Sequence, residues 1–276
     1  MRFGMKKYFT HATDRDFFSK LKLESYTDFI DLKGEIVSNP GKRPVQRIIL
    51  KDHGTHKIFF LKQTSRFSLT SLLKRVRKGI GLHGDAYIEQ AQIKRYEDAG
   101  IPVMRVSAWG ETKKFGWPCS DFLLAAEIEG ERLDRFIQQC SAKEKEEVFL
   151  RYGELIARMH QNGISEVTRI QDIICTPGEN IKLTVIDREH GLPIAKKLSD
   201  SDRVQRLART YLKNLSALNA KKPMIKELQF LLNGYATHLA QPLQTLELQV
   251  KQEVKDLIAK KDKLKTHQWI LSSPDF

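Results

Sequence analysis

The sequence contains few cysteines and no long apolar run, and each deficit argues against a class of protein. Its three cysteines among 276 residues, Cys119, Cys140 and Cys175, are widely spaced and form no CxxC pair. This pattern argues against a disulfide framework and against a zinc site, and we expect buried, reduced thiols. No stretch of about 18 apolar residues is present, so we expect no transmembrane helix.

A signal peptide, internal repeats and low-complexity segments are missing as well. Residues 1–18 read MRFGMKKYFTHATDRDFF, which is basic but has no apolar core of signal-peptide length. We therefore expect the chain to stay in the cytosol. The composition, 41% hydrophobic and 29% charged, is ordinary for a globular protein, and the length suffices for two lobes around a shared cleft.

Acidic residues are too few to balance the basic ones. The formal net charge is +13, which favours an anionic partner such as nucleic acid, an anionic membrane surface or a phosphorylated substrate. We expect no nucleic-acid partner, because neither a binding motif nor interleaved aromatic and basic residues are present. Five basic residues and no acid lie between Thr64 and Gly84. We expect anionic lipid to contact the basic segment Lys74, Arg75, Arg77 and Lys78.

The first half of the chain has mixed strand and helix patterns. Strands are predicted at 31–38, 45–51, 57–63 and 121–128, and another from Ile101 to a turn at Gly110. A helix at 68–78 follows from the spacing of Leu69, Leu72, Leu73 and Val76, with a basic opposite face. A second helix, 85–99, has Asp85 as N-cap and Gly100 as its stop.

The second half is mostly helical. Helices are predicted at 143–161, roughly 200–220 and 225–265, the last as a helical hairpin, and one short β-hairpin ends on IKLTVID. The fold class is therefore α+β, with a bilobal protein-kinase-like layout. The smaller antiparallel-sheet lobe is predicted at 1–127 and the larger helical lobe at 128–276, as one kinase-like unit.

Three residues match the parts that phosphoryl transfer requires. Lys62 lies near the end of the third strand, where a kinase-like enzyme binds phosphates, and Glu89 lies on the helix 85–99, where it could pair with that lysine. Asp187 ends the apolar strand of IKLTVID. A carboxylate at the end of a buried strand is costly unless a cation meets it, and Mg²⁺ or a structural arginine would do so.

Four stretches together resemble the lipopolysaccharide kinase family, which phosphorylates heptose or Kdo in the lipopolysaccharide inner core. They are KGEIV…KIFFLKQ, AYIEQAQIKRYEDAGI, GELIARMHQNGI and LTVIDREHG, and the resemblance covers roughly residues 30–240. The resemblance implies ATP and Mg²⁺ as cofactors and a lipopolysaccharide core glycolipid as substrate. It also implies a peripheral location on the cytoplasmic face of the inner membrane of a Gram-negative bacterium.

The resemblance also implies roles for individual residues. Lys62 would bind ATP phosphates, Glu89 would pair with Lys62, and Asp187 would bind Mg²⁺. The backbone around Glu127, in the segment 125–128, would meet adenine. The phosphate-covering loop would be 34–44, with Gly34 and Gly41 as its only glycines.

Two other motifs are decoys in this context. GIGLHG at 79–84 is a literal G-x-G-x-x-G, but it follows a basic helix rather than a strand and comes after Lys62, so we interpret it as a connection. His160 is tempting as a base, but it ends a helix. There, stabilisation by the helix dipole is the better explanation.

The catalytic loop departs from the family pattern, because no His-Arg-Asp follows Ile164. In one alignment Asp172 takes the place of the second metal ligand, and the base position falls on Val167 or Thr168. In the other, Asp172 is itself the base of a displaced Arg-x-Asp. Asp172 precedes Asp187 by 15 residues, which is short for a base and comfortable for a metal ligand.

The departure leaves two functions open. The first is an ATP- and Mg²⁺-dependent sugar kinase, with Asp172 as catalytic residue and Asp187 and Asp172 as metal ligands. Glu166 and Glu189 are weaker candidates for a substitute base and a further metal ligand. The alternative is a pseudokinase that acts as a nucleotide-binding or scaffolding partner in envelope biogenesis.

Overall fold

The computed structural model describes residues 4–38, 43–77, 81–187, 197–238, 242–260, 262–274 and 276. By the distribution of contacts these residues form two units. The first comprises 4–97, 103–128 and Asp187; the second comprises 98–102, 129–186 and the described residues from 197 onward.

The first unit is built on a six-stranded antiparallel sheet with the strand order β1-β5-β6-β4-β3-β2. The strands are β1 (Gly4–Thr10), β2 (Glu35–Ser38), β3 (Val45–Asp52), β4 (Thr55–Thr64), β5 (Val106–Lys114) and β6 (Trp117–Ala126). The helices of this unit are α1 (Ala12–Lys20), α2 (Tyr26–Ile30), α3 (Leu69–Arg77) and α4 (Asp85–Asp98). The antiparallel sheet and helical part confirm the α+β class.

An aromatic core fixes one face of this sheet. Phe18 of α1 and Phe29 of α2 pack edge to face at 5.2 Å between ring centroids, and Phe29 stacks on Phe122 of β6 at 5.3 Å. On β4, Phe59 and Leu61 are fully buried in the same cluster. Because successive side chains of a strand point to opposite faces, Lys62 projects to the other face of the sheet.

Helix α4 begins at Asp85 rather than after it, so the prediction that Asp85 is the N-cap is wrong. The helix start is held from the sheet: Ala86 donates its N–H to Asp121 Oδ2 at 2.9 Å, and Gly84 donates to Glu111 Oε2 at 3.1 Å. Asp121 is fully buried, and burial raises its pKa to about 6. The predicted stop is confirmed, since Gly100 has a φ of +66°.

Two further predictions in this unit are wrong. The strand expected from Ile101 begins at Val106, and Gly110 lies in the middle of β5 rather than in a turn. A Cβ on Gly110 would lie 2.8 Å from Phe122 and 2.9 Å from Tyr26, so the glycine makes room for the aromatic core. The connection from β5 to β6 is formed instead by Phe115 and Gly116.

The second unit is mainly helical. Its helices are α5 (Leu133–Gln139), α6 (Ala142–Gln161), α7 (Asp200–Ala217), α8 (Ile225–Ala236) and α9 (Leu243–Lys260), with 3₁₀ segments at Ile170–Asp172 and Asp262–Ser272. A three-stranded antiparallel sheet has the order β7 (Glu131–Arg132), β8 (Ile173–Thr176), β9 (Lys182–Val185). The short β-hairpin and the C-terminal helical hairpin are thereby confirmed.

Helices α6 and α8 approach each other through glycine. A Cβ on Gly153 would lie 1.9 Å from the carbonyl oxygen of Leu231, and a Cβ on Gly234 would lie 1.9 Å from that of Leu150. Each glycine therefore admits the backbone of the opposite helix. Among the described residues, no helix combines the length and the apolar character that crossing a bilayer requires.

The expectation of three buried cysteines holds for one of them. Cys175 is fully buried, and burial raises its thiol pKa to about 12. Cys140 is intermediate, and Cys119 is exposed on the outer part of β6. All three are free thiols, as expected.

Candidate functional site

A strand and a helix bring Lys62 and Glu89 together in the first unit. Lys62 projects from β4 on the face opposite the aromatic core, and its Nζ lies 2.8 Å from Glu89 Oε1. The Glu89 side chain has no exposed surface and the Lys62 side chain keeps 12%. The two residues are 27 positions apart, so the pair exists only because α4 packs on the sheet.

Glu89 binds a second cation that the sequence did not reveal. Arg43 donates from Nη1 to Glu89 Oε2 at 2.7 Å, and its side chain is 9% exposed. Arg43 stands 46 positions before Glu89, just ahead of Pro44 and β3. No local spacing or periodicity marks it; the one available signal was a basic residue flanking a predicted turn next to a candidate site.

Asp187 completes this cluster. Its Oδ1 lies 2.5 Å from Lys62 Nζ, and 45% of its side chain is exposed. The residue follows β9 and adopts a left-handed backbone with a φ of 61°. Aspartate is one of the few residues other than glycine that tolerate this conformation.

Two carboxylates and two cations therefore form one network. Counting Arg43, Lys62, Glu89 and Asp187 at full charge, the network has no net charge. Glu89 is sequestered, whereas Lys62 and Asp187 retain access to solvent. A buried carboxylate held by two cations is a rigid support, and the exposed members are the ones able to exchange partners with a ligand.

The remaining predicted residues of the first unit have structural contacts of their own. The Gly34 amide donates to Gln46 Oε1 at 3.1 Å, and a Cβ there would lie 2.2 Å from the Arg47 carbonyl oxygen. Glycine is thus required by the approach of β3. Glu127 donates its N–H to the Ile58 carbonyl at 3.0 Å, and its side chain is 38% exposed. Contacts of either residue with a nucleotide stay predictions.

Asp172 lies in the second unit, where its partner is local. Both of its oxygens accept from the Arg169 guanidinium, from Nη2 at 2.6 Å and from Nε at 2.8 Å. The carboxylate is 8% exposed and the Arg169 side chain is 42% exposed. The Asp172 carbonyl accepts from the Ile186 amide at 2.8 Å, which ties the 3₁₀ turn to the residue after β9.

The loop ahead of Asp172 contains the two positions that one alignment assigns to the base. Val167 has no proton-accepting side chain. The Thr168 side chain is buried, with its hydroxyl donating to Met159 Sδ at 3.4 Å, and the Thr168 carbonyl accepts from the Tyr152 hydroxyl at 2.7 Å. Thr168 therefore serves the packing of the loop on α6.

Comparisons with known proteins decide the family. The model of the family described as "Lipopolysaccharide kinase (Kdo/WaaP) family" matches residues 28–235, well over half of the chain. The chain belongs to this lipopolysaccharide kinase family. No curated relative matches it by sequence.

A solved structure of the same kind supports the fold. "WaaP in complex with acyl carrier protein" is similar with a TM-score of 0.61, over 94% of this chain and 99% of that chain. The identity is 18%, so the likeness establishes the kinase-like fold and not the details of the site. The predicted family and fold are both confirmed.

The kinase family implies a nucleotide and a metal, and the cluster around Lys62 fits both. Lys62 would supply a cation for phosphate oxygens, and Asp187 would supply a half-exposed carboxylate. Mg²⁺ is usually bound by one or two carboxylates together with phosphates and waters. Within the described part of the chain no three His, Cys, Asp or Glu side chains are grouped to hold a metal by themselves.

The basic segment predicted on α3 is partly committed to the protein itself. Arg75 donates to the His83 carbonyl at 2.7 Å and forms a close ion pair with Asp85. Arg77 is exposed. Of the apolar residues expected to be buried on this helix, Leu72 is, but Leu73 is 59% exposed and Val76 49%.

The predictions on Gly41, Lys78 and Glu189 fall outside the described residues, as do the side chain of Lys74 and part of GIGLHG. Glu166 is half-buried in the second unit. The dipole explanation of His160 is wrong: the ring is buried, its Nδ1 lies 2.8 Å from the Tyr235 hydroxyl, and burial lowers its pKa to about 3. A neutral imidazole gains no ionic stabilisation from a helix end.

Proposed function

We propose that this member of the lipopolysaccharide kinase family is an ATP- and Mg²⁺-dependent enzyme that phosphorylates a sugar, heptose or Kdo, of the lipopolysaccharide inner core. The observation that carries the proposal is the position of Lys62 Nζ between the carboxylates of Glu89 and Asp187, at 2.8 and 2.5 Å. This is the arrangement that kinase-like phosphoryl transfer requires of a lysine, a helix glutamate and a metal-binding aspartate.

The proposed roles follow from burial and charge. Lys62 would hold the ATP phosphates, and Glu89, braced by Arg43, would keep the ammonium group in place. Asp187 would hold Mg²⁺ through its exposed carboxylate. Bound ATP and Mg²⁺ would supply the transferable phosphoryl group and neutralise its charge. Gly34 and the backbone at Glu127 would line the nucleotide site.

Asp172 is proposed to act in one of two ways. It is either the catalytic residue that faces the acceptor hydroxyl or the second metal ligand. Its bidentate ion pair with Arg169 fixes the orientation of the carboxylate. Positioning and charge neutralisation provide most of the rate in phosphoryl transfer, so a divergent loop is compatible with turnover.

The proposed setting is the cytoplasmic face of the inner membrane of a Gram-negative bacterium. A net charge of +13 favours the surface of anionic lipids and a phosphorylated glycolipid. In the basic segment Arg77 is available for this contact, while Arg75 is held by Asp85.

A pseudokinase is the second candidate, and one observation favours it. The base position of the ordinary alignment falls on Val167 or on Thr168, whose hydroxyl is engaged with Met159. Under this alternative the Lys62 cluster would bind a nucleotide without turnover.

Thermal unfolding with ATP tests the nucleotide proposal. At ATP 100-fold above its Kd, with Mg²⁺, the stabilisation is about 2.7 kcal/mol, or a rise in Tm of roughly 5–10 °C. We expect Asp187→Asn to abolish the metal-dependent part of this rise, whereas Asp16→Asn, at an exposed position of α1, should keep it. A wild-type protein indifferent to ATP and Mg²⁺ would refute the kinase and the nucleotide-binding pseudokinase, and would leave only a scaffolding role.

A further inference from the structure

The turn between β5 and β6 combines an unusual backbone with an unusual side chain. Its two central residues, Phe115 and Gly116, both have positive φ, at 52° and 80°, and the flanking residues Lys114 and Trp117 are paired. Two consecutive left-handed residues define the tight hairpin turn that favours Asn-Gly or Asp-Gly. A bulky aromatic residue is disfavoured at the first of these positions.

Packing does not account for Phe115. Its side chain is 81% exposed, the largest exposure among the large hydrophobic residues of the described chain, and the neighbouring Trp117 is 36% exposed. Burial in the core therefore gives Phe115 little stabilisation, and the backbone conformation opposes it. Asparagine would suit the fold better.

Lysines lie on the same hairpin and on the strand beside it. Lys114 is exposed, with its Nζ 5.8 Å from the centre of the Phe115 ring. On the adjoining strand β1 the exposed Lys6 pairs with Thr112, and its Nζ donates to Thr27 Oγ1 at 3.2 Å. Lys7 pairs with Glu111 and projects to the opposite face of the sheet. Neither 4–10 nor 112–120 contains Asp or Glu. We call the set Lys6, Lys114, Phe115 and Trp117 the aromatic tip.

We propose that the aromatic tip inserts Phe115 and Trp117 into the headgroup region of an anionic lipid bilayer, with its lysines on the lipid phosphates. Aromatic residues prefer this interface, and each nearby lysine adds electrostatic attraction. A stable protein partner needs about 800 Å² of surface on each side, whereas a two-residue turn offers a small protruding contact that a bilayer accepts without a matching pocket.

The inference rests on the membrane setting in the proposed function and deepens it. It places the principal lipid contact on the first unit's β5–β6 hairpin rather than on the basic segment of α3. It requires no catalysis, so vesicle binding and kinase activity can fail separately.

Co-sedimentation with vesicles tests the proposal. The probe is a vesicle of equal parts phosphatidylglycerol and phosphatidylcholine, compared with phosphatidylcholine alone, at low and high salt. We expect Phe115→Asn to lower partitioning into the anionic vesicles by about tenfold while Tm stays equal or rises. Lys114→Gln should lower it about fivefold at low salt. Leu248→Asn, at a residue 70% exposed on α9, should leave it unchanged.

Three results would overturn the proposal. The first is that Phe115→Asn binds the vesicles as well as the wild type does. The second is that Arg77→Gln loses vesicle binding while Phe115→Asn keeps it. The third is that the wild type prefers a soluble polyanion such as heparin to the vesicles. Kinase assays on a water-soluble core oligosaccharide separate the two proposals. An inactive wild type that still needs Phe115 for vesicle binding would refute the proposed activity and leave the aromatic tip standing.

Discussion

Asp187 and Asp172 each bind a basic side chain, but the partners come from very different distances along the chain. Asp187 meets Lys62 across 125 positions, whereas Asp172 meets Arg169 across three. The first contact depends on a sheet, a helix and the segment after β9. The second depends on a single 3₁₀ turn. The Asp187–Lys62 contact therefore forms only when the first unit is folded, whereas the Asp172–Arg169 contact needs only its own loop.

The most disruptive change should be the removal of the charge of Glu89. Glu89→Gln would remove the buried carboxylate that Lys62 and Arg43 share, and their side chains are only 12% and 9% exposed. We expect a loss of about 3–5 kcal/mol in the free energy of unfolding, together with loss of ATP binding. Urea denaturation measures the first and a nucleotide titration the second.

Glu97→Gln, an exposed position of the same helix, is the matched control and should be close to neutral. Arg43→Gln should be milder than Glu89→Gln, because Lys62 still compensates the carboxylate. Equal stability of Glu89→Gln and Glu97→Gln would contradict the view that Glu89 supports the cluster.

The pair Asp172–Arg169 should show the opposite balance, with a large effect on turnover and a small one on stability. If Asp172 acts as the base, Asp172→Asn lowers turnover on core glycolipid by about 10²–10⁴-fold. The free energy of unfolding should change by no more than about 1 kcal/mol, because the Arg169 side chain is 42% exposed and can turn to water. Steady-state kinetics and urea denaturation on the same preparation give both numbers.

The outcome also separates the two roles left open for Asp172. If Asp172 is a metal ligand, excess Mg²⁺ should partly restore the turnover of Asp172→Asn. If Asp172 is the base, excess Mg²⁺ should not restore it. Unchanged turnover would exclude Asp172 from catalysis. Unmeasurable turnover in the wild type, with ATP binding intact, would favour the pseudokinase.

Two buried titratable groups, one in each unit, give an effect that is small over any single pH unit. Burial raises the pKa of Asp121 from 3.8 to about 6, so the folded state holds its proton more firmly and stability falls as the pH rises through this range. Burial lowers the pKa of His160 from 6.5 to about 3, so stability rises with pH from about 3 to 6.5. Between about pH 4 and 6 the two contributions oppose each other.

Variants should expose each contribution as a slope of about 1.4 kcal/mol per pH unit. Relative to the wild type, Asp121→Asn should gain stability from pH 4 to 6, and His160→Gln should lose it. Urea denaturation at several pH values measures the two differences. Parallel curves for Asp121→Asn and the wild type would show that Asp121 is not preferentially protonated in the folded state.

The sequence revealed those parts of the fold whose signals are local. Lys62 was found because an apolar strand has a cation near its end, and Glu89 because the helix that contains it has a clear glycine stop. The short hairpin was found from its alternation. Helix α1 and strand β1 were missed, and α1 is capped by His11, a residue that does not mark a helix start.

Other features depend on partners far away in the sequence and left no local trace. Asp85 looked like a cap, but Asp121 caps α4 from 35 positions away. Gly110 was predicted to form a turn, but it lies within β5, where the rings of Tyr26 and Phe122 pack closely against it. The role of Arg43 could be predicted only if the position of Glu89 in the fold were known. Tertiary packing overrides the local preference in each case.

The left-handed backbone at Asp187 also limits how the proposed kinase activity could be lost in evolution. At a φ of 61° the tolerated replacements are chiefly glycine and asparagine. Asparagine is reached from aspartate by a single nucleotide change, keeps the conformation and lacks the charge. A homologue under no selection for phosphorylation would therefore lose the activity by this one substitution while keeping its fold. Asparagine at this position is the substitution by which such silent relatives would be recognised.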